Sequence, residues 1–557
     1  MPGKSSKISI IPLGGIGEIG KNITAIRYQN EMIIIDAGLM FPEEDELGVD
    51  IVIPEISYLT ENSVRSQIKA IFLTHGHDDH IGALPYIWPH LKVPVYGTRF
   101  TLGLVGKKLA EHELADKVPL HPVQPRQEVT VGNFRVEFFR VNHSIADAAG
   151  LAIHTPMGTI VHTGDYKFDH TPVDGQVADF QRLASLGEEG VLALLGDSTN
   201  AERPGYTHSE KAVGATIEEI FRRARSRIIL ATFSSNVHRI QQTIDAAVRN
   251  QRKMVVIGRS VENVVEVAEE LGYLKIPKGT RIPVEELAGL PASKTLILTT
   301  GSQGEPMSSL TRMAMADHRR VEIEPGDTVI IAAAPIPGNE KLVARTIDHL
   351  IKQGAEVIYE AVSGVHVSGH ASQEELKLML NLVRPRFFVP VHGYQRHLKR
   401  HAELARELGI PSENIFILEN GSILDMGRDW AETVGRVPAG RVLVDGLGVG
   451  DVGNIVLRDR RLLAQDGILV VVITINKQTG QLVAGPDIVS RGFIYVREAE
   501  TLLEEARGLV REALTGKNHQ GPSEWSSIKS QVRDVLAKAL FERTRRRPMI
   551  LPIIMEV

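Results

Sequence analysis

Thr74-His75-Gly76-His77-Asp78-Asp79-His80-Ile81-Gly82 is the stretch on which the reading of this chain turns. Three histidines and two aspartates fall between His75 and His80, directly after the apolar run Ala70-Ile71-Phe72-Leu73. Neutral imidazole and carboxylate are ligands that suit zinc, and they also suit manganese. A lone histidine of this kind is usually a core or surface residue, but five such groups beside two glycines predict a metal site. The spacing excludes the His-Glu-x-x-His arrangement, which places two imidazoles at i, i+4 on a helix. His-x-His instead puts both rings on one side of an extended segment. Asp79 and His80 follow as the chain turns and aim elsewhere, so one short element is expected to serve two ions.

The bulk numbers bound the rest. A length of 557 residues predicts about three or four domains. Hydrophobic content of 43% and charged content of 24% are ordinary for a soluble globular protein. There is no cysteine, which excludes disulfides and thiolate metal sites and makes the cytoplasm the expected compartment. The polar start, residues 1–7, has no signal-peptide apolar core. The longest apolar run, Ile468 to Ile475, is far too short to span a bilayer and is expected as a buried strand. A net charge of −5 argues against a generic basic coat for nucleic acid, so a polyanion must be met by local patches or by metals.

Short buried strands that end in acidic or imidazole residues recur along the chain. Met32 to Ile35 ends in Asp36, Ala70 to Leu73 near His75, and Val136 to Val141 near His143. Thr159 to Val161 ends near Asp165, Val191 to Leu195 near Asp197, and Phe387 to Val391 at His392. An aspartate after a strand is commonly a turn residue, but the repetition predicts one edge of a layered sheet structure that carries a site. Gly15-x-Gly17-x-x-Gly20 matches the dinucleotide fingerprint, yet the residues after it read as strands and not as a helix. A glycine-rich strand connection is the better reading.

Between about Ser209 and His366, strand-like runs alternate with helix-like ones, which predicts a mainly parallel sheet that interrupts the first domain. The expected boundaries are 1–208 and 367–440 for the interrupted domain, 209–366 for the insertion, 441–460 for a glycine-rich linker and 461–557 for a small α+β domain. That last domain holds the run Ile468 to Ile475, helices over Glu498 to Leu514 and Ser526 to Glu542, and a final strand, Met549 to Met555. Arg543, Arg545, Arg546 and Arg547 form a basic cluster that suits either a helix end complementing its dipole or an RNA contact.

The series Asp36, His75-x-His77-x-Asp79-His80, His143, Asp165 resembles the metallo-β-lactamase superfamily. The insertion, followed by Ser368-Gly369-His370 and Pro390-Val391-His392-Gly393, resembles its β-CASP nuclease branch. Pro12-Leu13-Gly14-Gly15-x-Gly17-Glu18-x-Gly20, His366 to His370 and Ser490-Arg491-Gly492-Phe493 are similar to the bacterial ribonuclease J family. The resemblance covers essentially the whole chain. It implies an αββα metallo-β-lactamase sandwich interrupted by a parallel β-CASP βα domain, plus a C-terminal α+β domain, within the α/β class. It also implies two divalent ions, zinc first with manganese or magnesium as alternatives: one on His75, His77 and His143, the other on Asp79, His80 and His392, with Asp165 bridging. Asp36 is implied as an outer partner of a ligating imidazole, His370 as general acid and Asp197 as its support. Ser372-x-x-Glu375 also reads as a capping box that opens the next helix, so His370 has a structural reading as well.

The resemblance further implies a pocket for a 5′-monophosphate formed by Ser234, Ser235 and Asn236 with His366, Val367, Ser368, Gly369 and His370. Ser234 to Asn236, like Gly301-Ser302-Gln303-Gly304, lies between a strand and a helix, where small polar residues either cradle phosphate or cap the helix. The activity implied is 5′→3′ exonucleolysis of RNA with a 5′-monophosphate, together with endonucleolytic cleavage, in mRNA decay and rRNA maturation. Two ions make a water nucleophilic and stabilise the oxygen-rich transition state. Homodimers or tetramers and no membrane association are implied too. A small-molecule hydrolase and a catalytically silent RNA-binding subunit are the rival readings. The insertion and the phosphate-type turns disfavour the first, and the complete ligand set disfavours the second.

Overall fold

Continuous apolar runs become inner strands because strands covered on both faces need no polar alternation. In the computed structural model, which describes residues 7–305, 307–336, 339–359, 364–476, 481–494, 500–515 and 525–557, these runs build two facing sheets. The polar start over residues 1–6 and Glu498 at the head of an expected helix lie outside the described residues. The first sheet has the order Ala431–Arg436, Ser422–Met426, Ile8–Gly14, Ile23–Tyr28, Glu31–Ile35, Ile68–Phe72, Val95–Gly97, Leu120–Pro122. The second has the order Phe387–Val391, Val191–Asp197, Gly158–His162, Ala149–Thr155, Phe134–Arg140, Glu128–Val131. Ile10, Ile26, Ile35 and Phe72 of the first meet Phe138, Leu151, Ile160, Leu195 and Val389 of the second in one core. Helices Gln373–Val383 and Gln395–Glu407 pack on the second sheet and Arg99–Glu111 packs on the first, which completes an αββα sandwich.

Val191–Asp197 pairs in parallel with Gly158–His162 on one side and with Phe387–Val391 on the other. Between these neighbours the chain leaves to build a separate parallel sheet, ordered Lys253–Ile257, Thr295–Thr299, Ile228–Thr232, Thr328–Ala332, Glu356–Tyr359. Helical crossovers such as Val237–Arg249, Arg259–Glu270 and Glu340–Lys352 connect its strands, as parallel pairing requires. A fully buried arginine ties two of its helices together. Arg239 Nε and one terminal nitrogen each donate to Glu210 at 2.8 Å, and the other terminal nitrogen donates to the Ala332 carbonyl at 2.5 Å. A buried guanidinium is tolerable only when charge and donors are matched in this way.

The chain forms two compact units, Met1–Phe41 with Val52–Val442, and Pro42–Ile51 with Leu443–Val557. In the second unit, Ile468–Ile475 lies between Leu482–Arg491, antiparallel to it, and Met549–Glu556, parallel to it. Helices Glu500–Leu514 and Trp525–Thr544 cover one face only, through Leu503, Val510, Val532 and Leu536. Ile468–Ile475 is the strand expected, but it is buried on one face only. Leu469, Val471, Ile473 and Ile475 are buried, and the residues between them are half-buried. The stretch expected as a linker is folded: Val444 and Val449 pair in a hairpin, and helix Asn454–Asp466 follows. Arg460 and Arg461 of that helix bond the Leu47 carbonyl and Asp45, which is how residues 42–51 join this unit. The Arg543 to Arg547 cluster is engaged locally, with Arg545 and Arg547 over the Phe541 ring and Arg546 on the Phe493 carbonyl. Among the described residues no helix is long and apolar enough to cross a membrane.

His401, on the helix Gln395–Glu407, is sealed against the second sheet. Its Nδ1 lies 3.0 Å from Ser198 Oγ and its ring 4.7 Å from Phe388. Burial lowers its pKa from 6.5 to about 3. Between those values the unfolded chain binds a proton that the folded chain does not, so stability falls as pH falls through that window. His401→Gln should flatten the dependence of unfolding free energy on pH between 6.5 and 5 by up to about 1.4 kcal/mol per pH unit. Urea unfolding at a series of pH values checks this, and an unaltered slope would mean that the imidazole is not sealed from protons.

Candidate metal centre

Six strands of the two sheets deliver their following residues to one edge, and two of those residues adopt strained backbone there. Asp36 has φ 60° and His392 has φ 53°, a left-handed conformation that costs an L-residue roughly 1–2 kcal/mol. Each is pinned: Asp36 N–H donates to the Phe72 carbonyl at 2.8 Å and His392 N–H to the Gly15 carbonyl at 2.9 Å.

The first cluster gathers His75, His77 and His143. His77 Nδ1 lies 3.1 Å from His75 Nε2 and 3.1 Å from His143 Nε2. The opposite nitrogen of each ring has a partner of its own. His143 Nδ1 donates to the Gly369 carbonyl at 2.7 Å, His75 Nδ1 lies 3.1 Å from Thr74 Oγ1, and His77 Nε2 lies 2.9 Å from Ser235 Oγ. Burial holds His75 and His143 well below the ordinary imidazole pKa and lowers His77 to about 4. Three neutral rings therefore converge through one nitrogen each, while the opposite nitrogens are held by partners outside the cluster. Such a set repels itself unless a cation sits among the lone pairs, and it fits a divalent metal.

The second cluster gathers Asp79, His80, Asp165 and His392. His80 Nε2 is 3.3 Å from Asp165 Oδ2 and 3.6 Å from Asp79 Oδ2. His392 Nε2 is buried without a hydrogen-bond partner, 3.3 Å from Asp79 Oδ2, while its Nδ1 lies 3.0 Å from Asp165 Oδ1 and 3.1 Å from Thr199 Oγ1. An orphaned buried imidazole nitrogen beside the Asp79 carboxylate is what a bound cation would satisfy. Burial opposes charge on His80 and His392, but Asp165 and its neighbouring carboxylates outweigh it and raise both pKa values well above the ordinary value. Asp165 Oδ2 also lies 3.8 Å from both His75 Nε2 and His143 Nε2, between the two clusters. The donor set, imidazole nitrogen plus carboxylate oxygen, suits divalent ions.

Asp36 Oδ2 accepts from His80 Nδ1 at 2.8 Å and from the Thr74 hydroxyl at 2.9 Å, Asp36 Oδ1 accepts from the Thr74 backbone N–H at 2.8 Å, and Thr74 Oγ1 is in turn the partner of His75. One carboxylate thus orients a ring of each cluster. His370 Nδ1 donates to Asp197 Oδ2 at 2.8 Å, and the His370 ring lies 4.9 Å from His143 and 5.6 Å from His392. The opposite Asp197 oxygen accepts from the backbone and hydroxyl of Thr199. Ser372 and Glu375 do form a capping box, so the loop that carries His370 is also anchored by the helix behind it. At Gly369 an added Cβ would lie 2.8 Å from the His143 ring, so only glycine lets this loop reach the imidazole.

The remaining sequence-derived site residues lie on two loops linked by Arg239. Asn236 Oδ1 accepts from Arg239 N–H at 3.0 Å and the side chain is buried, so Asn236 is committed to capping the helix Val237–Arg249. His366 Nδ1 lies 3.1 Å from the Arg239 guanidinium, and burial with that charge lowers its pKa to about 3. Ser368 Oγ accepts from Asn200 Nδ2 and from the His370 N–H. Ser234 and Val367 are partly exposed on the same two loops. In the Gly301 to Gly304 turn, the Gln303 amide bonds the Ala334 carbonyl and the Ile336 N–H. Sequence reasoning passed over Thr74 and Thr199. Their only signal is a hydroxyl residue beside a histidine or an aspartate at a strand end.

Removing Asp36 should loosen His80 directly and His75 through Thr74. Asp36→Ala is expected to weaken divalent-metal binding by about 10–100-fold, read by titration of the metal-free protein with zinc(II). Unchanged affinity would mean that the imidazoles are held without it.

Four family models match the chain. Residues 16–199 match the metallo-beta-lactamase superfamily, residues 225–350 "Ribonuclease J, beta-CASP domain", residues 354–418 "Zn-dependent metallo-hydrolase RNA specificity domain", and residues 455–557 "Ribonuclease J C-terminal domain". Ribonuclease J2 of Bacillus subtilis is 48% identical over 99% of each chain. Ribonuclease J 1 of Streptococcus pyogenes is 47% identical, over 99% of this chain and 98% of its own. Ribonuclease J 2 of Staphylococcus aureus is 43% identical, over 100% of this chain and 99% of its own. A solved structure of a protein of unknown function from Enterococcus faecalis shares the fold, with a TM-score of 0.54 at 17% identity, covering 75% of this chain and 100% of that one. With relatives matched end to end and a donor set that suits divalent metal, the chain belongs to the ribonuclease J family of metal-dependent hydrolytic ribonucleases.

Proposed function

We propose that the chain degrades RNA from its 5′ end, prefers a 5′-monophosphate, and also cuts internally, with two divalent ions per subunit. Zinc is the first choice of ion, with manganese or magnesium as alternatives. One ion is assigned to His75, His77 and His143, the other to Asp79, His80 and His392, with Asp165 shared. The role proposed is mRNA decay and rRNA maturation in the cytoplasm, as a homodimer or tetramer. One observation carries the reading. His370, supported by Asp197, stands against both ligand clusters, while Ser235 of the inserted domain reaches His77.

When bound, two divalent ions make a water nucleophilic at neutral pH and offset charge on the phosphoryl oxygens. The residues supply the rest. The bond from water oxygen to phosphorus forms and the bond from phosphorus to the 3′ oxygen breaks. His370, with Nδ1 on Asp197, keeps Nε2 for the proton that the departing 3′ oxygen takes up. The downstream RNA is left with a new 5′-phosphate, the same end group the enzyme began with, so each turn regenerates its substrate.

End recognition is assigned to the hydroxyls that face the two loops. Ser368 Oγ already accepts two hydrogen bonds and retains its hydrogen for an anion. With His77 ligating through Nδ1, its Nε2–H donates to Ser235 Oγ, which likewise keeps a hydrogen to donate. A wall of this kind suits a monophosphate better than a bulkier triphosphate.

End-labelled RNA with a 5′-monophosphate should be converted to mononucleotides far faster than the 5′-triphosphate form. Equal rates on the two would remove the end-recognition assignment. Chelation should stop both reactions. His370→Ala is expected to lower kcat by about 10²–10⁴-fold with RNA affinity retained in filter binding. His77→Ala should abolish cleavage while still retaining RNA, and activity surviving in it would sink the first-ion assignment.

A further inference from the structure

The glycine-rich run that imitates a dinucleotide fingerprint has its contacts inside the protein. Ile16–Gly17 pairs in parallel with Gly393–Tyr394, directly after His392, and Gly15 accepts the His392 N–H. Glu18 Oε1 accepts from the Gly15 N–H at 3.2 Å and from Asn420 Nδ2 at 2.8 Å, which closes the turn on itself. The run then enters the strand Ile23–Tyr28, so no helix start is available for a pyrophosphate.

Its last residue before that strand is Asn22, 9% exposed. Asn22 N–H donates to the Asp79 carbonyl at 3.0 Å, and the Asn22 carbonyl accepts from Gly38 N–H at 3.0 Å. The side-chain nitrogen lies 3.0 Å from the Asp79 carbonyl, 3.3 Å from Asp79 Oδ2 and 3.0 Å from His80 Nε2. An amide nitrogen carries two hydrogens, enough for the Asp79 carbonyl and Asp79 Oδ2. His80 Nδ1 donates to Asp36, so the lone pair of its Nε2 is left for an ion. Asp79 is the least enclosed member of its cluster, with a side chain 28% exposed, and without the amide its carboxylate is free to turn outward. Gly15 makes room for this arrangement: it has φ +83°, and an added Cβ would lie 2.3 Å from Asn22 Oδ1. The rings of the first cluster are held by Thr74, Ser235 and Gly369.

We propose that Asn22 is a positioning residue for the second ion alone, and that the glycine-rich run is the clasp that delivers it to Asp79 and His80 while binding the His392 loop. The proposal rests on the two-ion reading above. Metal-free protein titrated calorimetrically with zinc(II), with bound metal counted after dialysis, tests both separately. Manganese(II) loading followed by electron paramagnetic resonance adds a signature of two coupled ions. Wild type should take up two ions. Asn22→Ala, and Asn22→Leu, which keeps the side-chain volume, should leave one binding step unchanged and weaken the other by about 10–100-fold. The coupled manganese signal should give way to that of an isolated ion, at an unaltered melting temperature of the metal-free protein. A wild type that loads one ion would overturn the two-ion reading itself. Two ions in wild type with both steps unchanged in the variants, or with both steps weakened together, would overturn the role of Asn22.

Discussion

Asp165 is 3% exposed, and five imidazoles bring a nitrogen within 4 Å of its carboxylate: His392 at 3.0 Å, His80 at 3.3 Å, His75 and His143 at 3.8 Å, and His370 at 3.9 Å. A carboxylate taken out of water costs several kcal/mol unless opposite charge is placed beside it. The compensating groups come from strands that are distant in sequence and adjacent in space. Both sheets must therefore be in register before this residue is tolerable. Asp165 in turn raises the pKa values of His80 and His392 well above the ordinary value, so these two rings and the carboxylate are matched to one another. The three rings of the first cluster supply no charge, because burial keeps them neutral. That asymmetry leaves a carboxylate-rich side and a lone-pair side facing each other, and a divalent cation reconciles them.

The orientation of the rings is decided outside the ligand motif. Asp36 fixes His80 and, through Thr74, His75. Gly369 fixes His143, and Ser235 meets His77. These partners come from a strand end of the first sheet, from the return loop before the second sheet's edge strand, and from the inserted domain. The strained backbone at Asp36 and His392 fits this dependence, since such conformations persist only where neighbouring bonds over-determine them.

How much of this could be read in the sequence follows from the range of each signal. The His75 to His80 run and the apolar strands are local patterns, and the sandwich and the parallel insertion follow from them. His143, Asp165 and His392 stand out in the residues themselves only as a repeated ending of buried strands, and their ligand roles come from the family resemblance. Which nitrogen of each imidazole is free was not legible, because Thr74, Ser235 and Gly369 decide it from three places in the chain. The turn at Ser234 to Asn236 was visible, but capping and anion binding use the same residue types, and only coordinates show Asn236 Oδ1 on the Arg239 N–H. Ile468–Ile475 reads as a buried strand, and an apolar run looks the same whether one face or both are covered. Residues 42–51 carry no local mark of joining the second unit, since Asp45 and Leu47 are recruited by Arg461 and Arg460.

The place of the insertion follows from topology and constrains chemistry. The chain leaves the second sheet after Val191–Asp197 and returns at Phe387–Val391, which is the neighbouring parallel strand. Both ends of the excursion are therefore anchored at the edge where Asp197 and His392 stand. The first turn of the inserted sheet, Ser234 to Asn236, and the return loop, His366 to His370, come back to that edge and touch His77 and His143 from outside. On the proposed reading, the wall that receives the RNA end shares hydrogen bonds with the rings that hold an ion. End recognition and metal geometry then cannot be altered independently at Ser235 or Gly369. Ser368 is different, because its hydroxyl meets Asn200 and the His370 backbone and no ligand ring. A substitution there separates the two functions that the fold otherwise joins.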